Sequence, residues 1–273
     1  MSQPLPLTDR KALIRNRTRV SDPAALFLHE MARDDVHDRL ALVNKDFTDP
    51  AIVTPFPAIW QEDFPEARII SDEETLGLDE AAHDLIVHAL ALHWANDPVG
   101  QLIQCRRALR PDGLLLCLTF GGETLHELRS ALATAEADIT GGLSPRVLPM
   151  GEIRDLGAVM QRAGLAMPVA DSLSLNTSYE TPLHLMRELR AMGEANALSG
   201  RLRHPTRRSI LMKAAQLYVE QHAGPDGRIP ATFDIITLTG WAPDDSQPKP
   251  LRPGSATQSL AEALGTEETP LKD

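Results

Sequence analysis

His88 and His93 stand close together in the sequence, with Trp94 and Asn96 beside them. A histidine near its ordinary pKa can take up or release a proton at neutral pH, so either residue could act as a general base. The competing reading is a packed, hydrogen-bonded histidine. The acidic run Ser71-Asp72-Glu73-Glu74 is a second candidate, because it follows a short apolar segment and the ends of strands are where α/β folds bind ligands. A solvated acidic turn explains it as well. Gly121-Gly122-Glu123 permits a tight turn whose acid opens a helix, a position that the helix dipole already favours. Arg129 and Arg146 could grip a carboxylate or an acidic partner segment, although exposed arginines are mostly solvated. Met192, Gly193 and Glu194 read as a helix end, and Arg10, Lys11, Arg15, Arg17 and Arg19 as the solvated basic face of an N-terminal helix. No Ser-His-Asp order, phosphate loop, zinc-ligand spacing or HExxH signature is found, so no metal is expected.

These residues must be held by elements whose pattern changes along the chain. Residues 7–44 read as helix, with Ala12, Leu13, Ala24, Leu26, Phe27, Met31, Val36 and Leu40 as apolar positions. Short apolar runs at 51–53, 67–70 and 84–87 read as strands. Residues 98–109 carry a helical stripe, and Arg110-Pro111-Asp112-Gly113 breaks it. Residues 113–120 are nearly all apolar, as in a strand covered on both faces, and strand, helix, turn, strand is the rhythm of a parallel βαβ sheet. Helices at 123–137 and 151–163, a strand at 167–175, helices at 183–192 and 207–221, and a strand at 232–241 follow. The expected organisation is an N-terminal helical segment at 1–45, a main domain at 46–242 and a flexible tail at 243–273.

The 273 residues carry a net charge of −11, and only 4% are aromatic. Such a surface repels phosphate backbones and anionic lipid, and it lacks base-stacking platforms. No apolar run reaches the length of a membrane span. Cys105 and Cys117 are the only cysteines and lack ligand spacing, which points to a reducing, cytoplasmic compartment.

Three stretches taken in order carry a resemblance: HALALHWAND (88–97), LRPDGLLLCLTFGGETL (109–125) and MRELRAMGEAN (186–196). Together they resemble the methyltransferase-like assembly factors of respiratory complex I, which are close to the malonyl-carrier-protein methyltransferases of biotin synthesis. The similarity spans roughly residues 69–264, and Thr8-Asp9-Arg10 echoes an N-terminal motif of that family. It implies an α/β fold: a Rossmann-like class I methyltransferase sheet, shortened in its first half, with a helical insertion at about 180–225 between the last two strands. Residues 51–53 would be the first strand, 84–87 the fourth and 113–120 the fifth. The sixth and seventh would be 167–175 and 232–241, the last antiparallel.

The same resemblance implies S-adenosylmethionine (SAM) as cofactor, with Asp72, Glu73, His88 and Ala89 beside it, and His88, His93 and Glu123 as candidates for catalysis. The departure is the loop after the first strand. Where the family has glycines that admit the cofactor, this chain has Thr54-Pro55-Phe56-Pro57, and no glycine occurs between Asn44 and Leu76. The interval is also short by about one strand and helix, with the second strand and its acid the expected loss. Two functions therefore stand. One is SAM-dependent methylation of a protein partner such as a complex I subunit, in the cytoplasm or peripheral to the inner membrane through that partner. The alternative is a non-catalytic pseudoenzyme, a binding or assembly module that has lost SAM. A carrier-protein methyltransferase is a weaker third.

Overall fold

The computed structural model describes residues 6–248, together with 262 and 264–266. The chain divides into a unit Met1–Pro243 and a unit Asp244–Asp273. Most of the expected 243–273 tail lies outside the described residues.

The N-terminal segment forms α1 (Arg10–Arg17) and α2 (Phe27–Leu42) rather than one helix. The break has a local cause. Asp22 accepts a hydrogen bond from the Ala24 N–H at 3.0 Å, and Pro23, which lacks an N–H, opens a 3-10 turn over Pro23–Leu26. There follow β1 (Pro50–Val53), α3 (Pro57–Gln61), β2 (Arg68–Ile70), β3 (His83–Ala89), α4 (Pro98–Ala108) and β4 (Leu109–Gly121). Then come α5 (His126–Thr140), α6 (Ile153–Arg162), β5 (Ala166–Tyr179), α7 (Pro182–Ala191), α8 (Arg208–His222) and β6 (Ile229–Trp241). Helix α5 begins three residues later than the sequence pattern implies, because Leu125 takes a positive φ of 55° and the Thr124 hydroxyl donates to Gly121 O at 2.7 Å.

All six strands share one sheet in the order β2-β1-β3-β4-β6-β5. The first four run parallel, and β6 is antiparallel to both β4 and β5. This corrects the expected loss. β2 lies directly beside β1, the place of the second strand in a doubly wound order, and the empty position is the outermost one. Helices α7 and α8 fall between β5 and β6, where an insertion was expected.

The central strands of the sheet are buried on both faces, whereas the edge strand β5 is largely exposed, and alternate residues of β4 serve different cores. Leu114, Leu116, Leu118 and Phe120 of β4 join a cluster with α2, α5 and α8. Leu115 and Cys117 join Leu102 and Cys105 of α4 and Met160 of α6 on the other face. That is why residues 113–120 lack polar alternation. Gly121 closes the strand where a Cβ would lie 2.9 Å from the Gly151 carbonyl.

Leu116 is 1% exposed and central to the larger cluster. Leu116→Ala is expected to lower unfolding stability by about 2–5 kcal/mol, read as a lower urea midpoint at unchanged slope. A loss well below that range would show that Leu116 is not packed between β4 and the helices of the larger cluster.

Candidate functional site

The C-terminal ends of β2 and β3 lie beneath α1. Asp9 caps that helix, accepting from the Ala12 N–H at 3.1 Å. Hydrogen bonding from Arg203, then from Ala12 and Arg201, holds its carboxyl well below the usual range. Ala12 and Leu13 pack against Trp94, Leu148, Ala197 and Leu198. Arg10 and Arg17, two helical turns apart, both reach Asp72. Arg17 Nη1 donates to Asp72 Oδ2 at 2.6 Å, and Arg10 donates to the same oxygen at 3.2 Å and to the Asp72 carbonyl at 2.6 Å. The Arg17 and Asp72 side chains are only 7% and 9% exposed, whereas Glu73 is 58% exposed and lies 3.8 Å from Arg10. Of the two acids read from the sequence, Asp72 is the buried one.

His88 and Ala89 end β3 and are fully buried. His88 Nε2 meets Gln101 Oε1 at 2.9 Å, and the Gln101 amide donates to Glu73 O at 3.0 Å. Burial lowers the His88 pKa. His93 and Trp94 converge on Glu194, with Trp94 Nε1 donating to Oε2 at 2.6 Å and His93 Nε2 at 3.4 Å. Burial alone would raise the pKa of Glu194, but the hydrogen bond and charge of His93, then Arg17 and Trp94, bring it down to about 2. Met192, Gly193 and Glu194 do close α7, with the Glu194 N–H donating to Leu189 O at 2.8 Å, and the Glu194 side chain points back to His93 and Trp94. His29, from α2, is pushed down to about 3, mainly by burial, and it feels the charges of Glu194, Arg17, His93 and Asp72. One enclosed region thus holds Arg17, Asp72, His29, His88, His93 and Glu194.

Two openings flank it. On one side a cleft of about 640 Å³ runs between α1 and the loop after β1, lined by Arg17, Thr54, Pro55, Phe56, Asp72 and Glu73. That loop has few backbone donors to give: Pro55 and Pro57 have none, and the Phe56 N–H donates to Thr54 Oγ1 at 3.1 Å. On the other side a cavity of about 200 Å³ is lined by Phe120, Phe233, Met150, Met186, Met192 and Glu194, among others. Arg146 also lines it, but its guanidinium is paired with Glu136 at 2.6 Å. Glu123 is not brought to this centre; its side chain is 67% exposed and lies 3.9 Å from His126.

Sequence reasoning took Arg10 and Arg17 as solvated and passed over His29. Their signal was spacing: seven residues returns two arginines to one helix face, beneath which a buried acid can collect both.

His29 carries a pH dependence. Its folded pKa of about 3 lies below its ordinary value of 6.5. Between those values the unfolded chain binds a proton that the folded chain refuses, so stability falls as pH drops through this window. His29→Leu is expected to flatten the stability slope by about one proton between roughly pH 6 and 5, above the carboxylates. An unchanged slope in urea midpoints would show that the folded His29 titrates normally.

Residues 36–117 match the family model described as methyltransferase domain. The chain is 39% identical over 200 residues to a protein of Danio rerio named arginine-hydroxylase NDUFAF5, mitochondrial, covering 73% of this chain and 62% of that one. The Homo sapiens protein of the same name is 38% identical over 204 residues, covering 74% and 58%. A malonyl-(acyl-carrier protein) O-methyltransferase of Halorhodospira halophila is 34% identical over 173 residues, covering 63% and 57%. The chain thus spans less than two thirds of the length of these relatives. Among solved structures, phosphoethanolamine N-methyltransferase 2 of Haemonchus contortus overlays with a TM-score of 0.49 at 10% identity, over 89% of this chain and 62% of that one, a likeness too slight to bear on the site. The resemblance carried by the three motifs is borne out: this chain is a homologue of the NDUFAF5 arginine-hydroxylases and a relative of the malonyl-carrier-protein methyltransferases, built on a methyltransferase domain.

Proposed function

We propose that this chain is a methyltransferase-like assembly protein that acts by binding a protein partner, of the respiratory complex I type its resemblance implies, and that it does so without SAM. The observation that carries the reading is the clasp of Arg10 and Arg17 on Asp72. A ribose needs a free carboxylate at that strand end, and this one is already shared by two arginines. The prolines at 55 and 57 and the engaged Phe56 N–H leave the adjoining loop without the close backbone approach that a glycine turn provides. The nucleoside end of SAM does not fit these residues, and methyl transfer through it is not part of the proposal.

The partner side is better equipped. The apolar cavity with Met150, Met186 and Met192 in its wall is adaptable, since unbranched thioether side chains repack around an incoming group. It suits an apolar side chain presented by a partner. Among the described residues no helix is long and apolar enough to cross a membrane. Attachment to the inner membrane would then be peripheral and run through the partner, with the protein otherwise cytoplasmic. The segment 1–45 and the domain 46–242 act as one device in this scheme, because α1 supplies the clasp.

The test is calorimetric titration of SAM into purified protein, after denaturing extraction has shown whether a nucleoside co-purifies. No binding near millimolar SAM by a folded sample is expected. Micromolar binding that Asp72→Ala abolishes would overturn the reading and restore a methyltransferase with a compensated loop.

A further inference from the structure

Between Glu194 and Glu220 the chain carries five cations and no acid, in a molecule whose net charge is −11. Four of the five are Arg201, Arg203, Arg207 and Arg208, on the loop between α7 and α8 and at its junction with α8. One side of the loop is anchored, because Arg201 and Arg203 both bind the Asp9 carboxylate, at 3.0 and 2.7 Å. Arg207 and Arg208 are exposed and make no ion pair among the described residues. Glu136, which shares a recess with Arg207, is held by Arg146 at 2.6 Å, and Asp138 lies 3.8 Å from Lys213. Four arginines thus face one carboxylate, and the positive field they leave attracts an anion from outside the chain.

The same surface is hollowed and partly apolar. A recess of about 280 Å³ has Arg207, His204, Leu202 and Leu143 in its walls. A second, of about 300 Å³, shares Leu202 and His204 with the first and adds Leu132, Met186 and Asn196. Those three residues also wall the apolar cavity described above. The hollows therefore adjoin, with Arg207 at one end and Phe120 and Phe233 at the other. Leu202 is 43% exposed and Leu143 71%, so apolar contact is on offer between the charged points.

A partner that matches this surface carries carboxylates beside an apolar residue. The planar guanidinium takes a carboxylate with two parallel hydrogen bonds, which an unpaired arginine is free to do. We propose that the surface formed by residues 201–208 docks an extended acidic segment of a protein partner, with carboxylates on Arg207 and Arg208 in the field of Arg201 and Arg203. An extended chain can follow a narrow basic strip. An anionic bilayer is broad, and it also meets the rest of a molecule that carries −11, which it repels. The inference rests on the preceding reading in taking the partner to fill the neighbouring cavity, and it adds the charge of the segment that does so.

The experiment measures fluorescence anisotropy of a short labelled peptide, glutamates around one leucine, titrated with the full chain. Peptides with serines or lysines in place of the glutamates serve as controls. The glutamate peptide is expected to bind tighter than the serine peptide by about tenfold or more, an advantage that shrinks with added salt. Arg207→Glu combined with Arg208→Glu should abolish that advantage. Acids in the first turn suit the dipole of α8, so the variant should keep its urea midpoint. Should it fail to fold, Arg207→Gln with Arg208→Gln removes the charge alone and should act in the same direction. The proposal falls if the lysine peptide binds as well as the glutamate peptide, or if the folded variant binds the glutamate peptide as the parent does. It also falls if the glutamate peptide does not bind at millimolar concentration. Binding of phosphatidylcholine vesicles containing cardiolipin in place of the peptide, lost in the variant, would assign the surface to lipid and overturn it too. A glycine in place of the leucine tests the preceding reading separately. Equal binding would overturn the apolar anchor and leave the acidic docking, whereas binding that needs the leucine but not the glutamates would overturn the docking and leave the anchor.

Discussion

Two arginines of one short helix share a single buried carboxylate, and the arrangement of the upper half of the molecule follows from that. A charge such as Asp72 cannot be taken from water without a partner, and removing one member of a buried pair typically costs about 3–5 kcal/mol. Asp72 therefore requires α1 to sit over the sheet. With α1 in place, Ala12 and Leu13 have Trp94 and Leu198 to pack against, and the Arg17–Asp72 pair is largely shielded from water. Closure in turn neutralises His29 and His88, because an imidazolium is poorly tolerated in the enclosed region.

Below this level the sheet is organised by a simple alternation. β4 sends even-numbered leucines to one core and Leu115 and Cys117 to the other. Few polar side chains interrupt these faces, Thr119 of β4 and Thr237 of β6 among them, and the charged groups of the candidate site gather at the strand ends. Both glycines at the end of β4 serve close approach: at Gly122, with a φ of 52°, a Cβ would lie 2.5 Å from an Asp234 carboxylate oxygen. That carboxylate accepts the Glu123 N–H at 2.7 Å, so the turn that sequence reading linked to a ligand is a structural joint between β4 and β6.

The strands were legible in the sequence because apolar runs bounded by turns leave little freedom, and residues 113–120 could only be a doubly covered strand. The helices after residue 150 were legible for a similar reason, each with one apolar stripe. The gap in the first half was visible, but not which strand position it empties, since a chain length does not say which neighbour β2 chooses. At the site, Asp72, His88 and His93 were legible by type and position. Arg17 and His29 were not, because a basic residue on a helix and a histidine in an amphipathic segment read as solvated until tertiary contacts are known. Glu123 lies apart from this cluster: its motif is specific, but the side chain faces solvent.

Helix α1 is tied to a late part of the chain. Thr8 pairs with Leu198 in an isolated bridge, Asp9 binds Arg201 and Arg203, and the Asn16 side chain donates to the Ala195 carbonyl. The Asp9–Arg201 contact spans 192 residues of sequence. During synthesis the helix that roofs the site emerges before its partners, and although Asp72 and Trp94 follow soon, its docking surface is complete only when some two hundred residues have followed it. Loop-closure entropy must then be overcome in one late step. For much of its birth the protein is a sheet with its upper edge open, and what has access to that edge before the roof arrives is set by the order of translation rather than by the affinity of the finished fold.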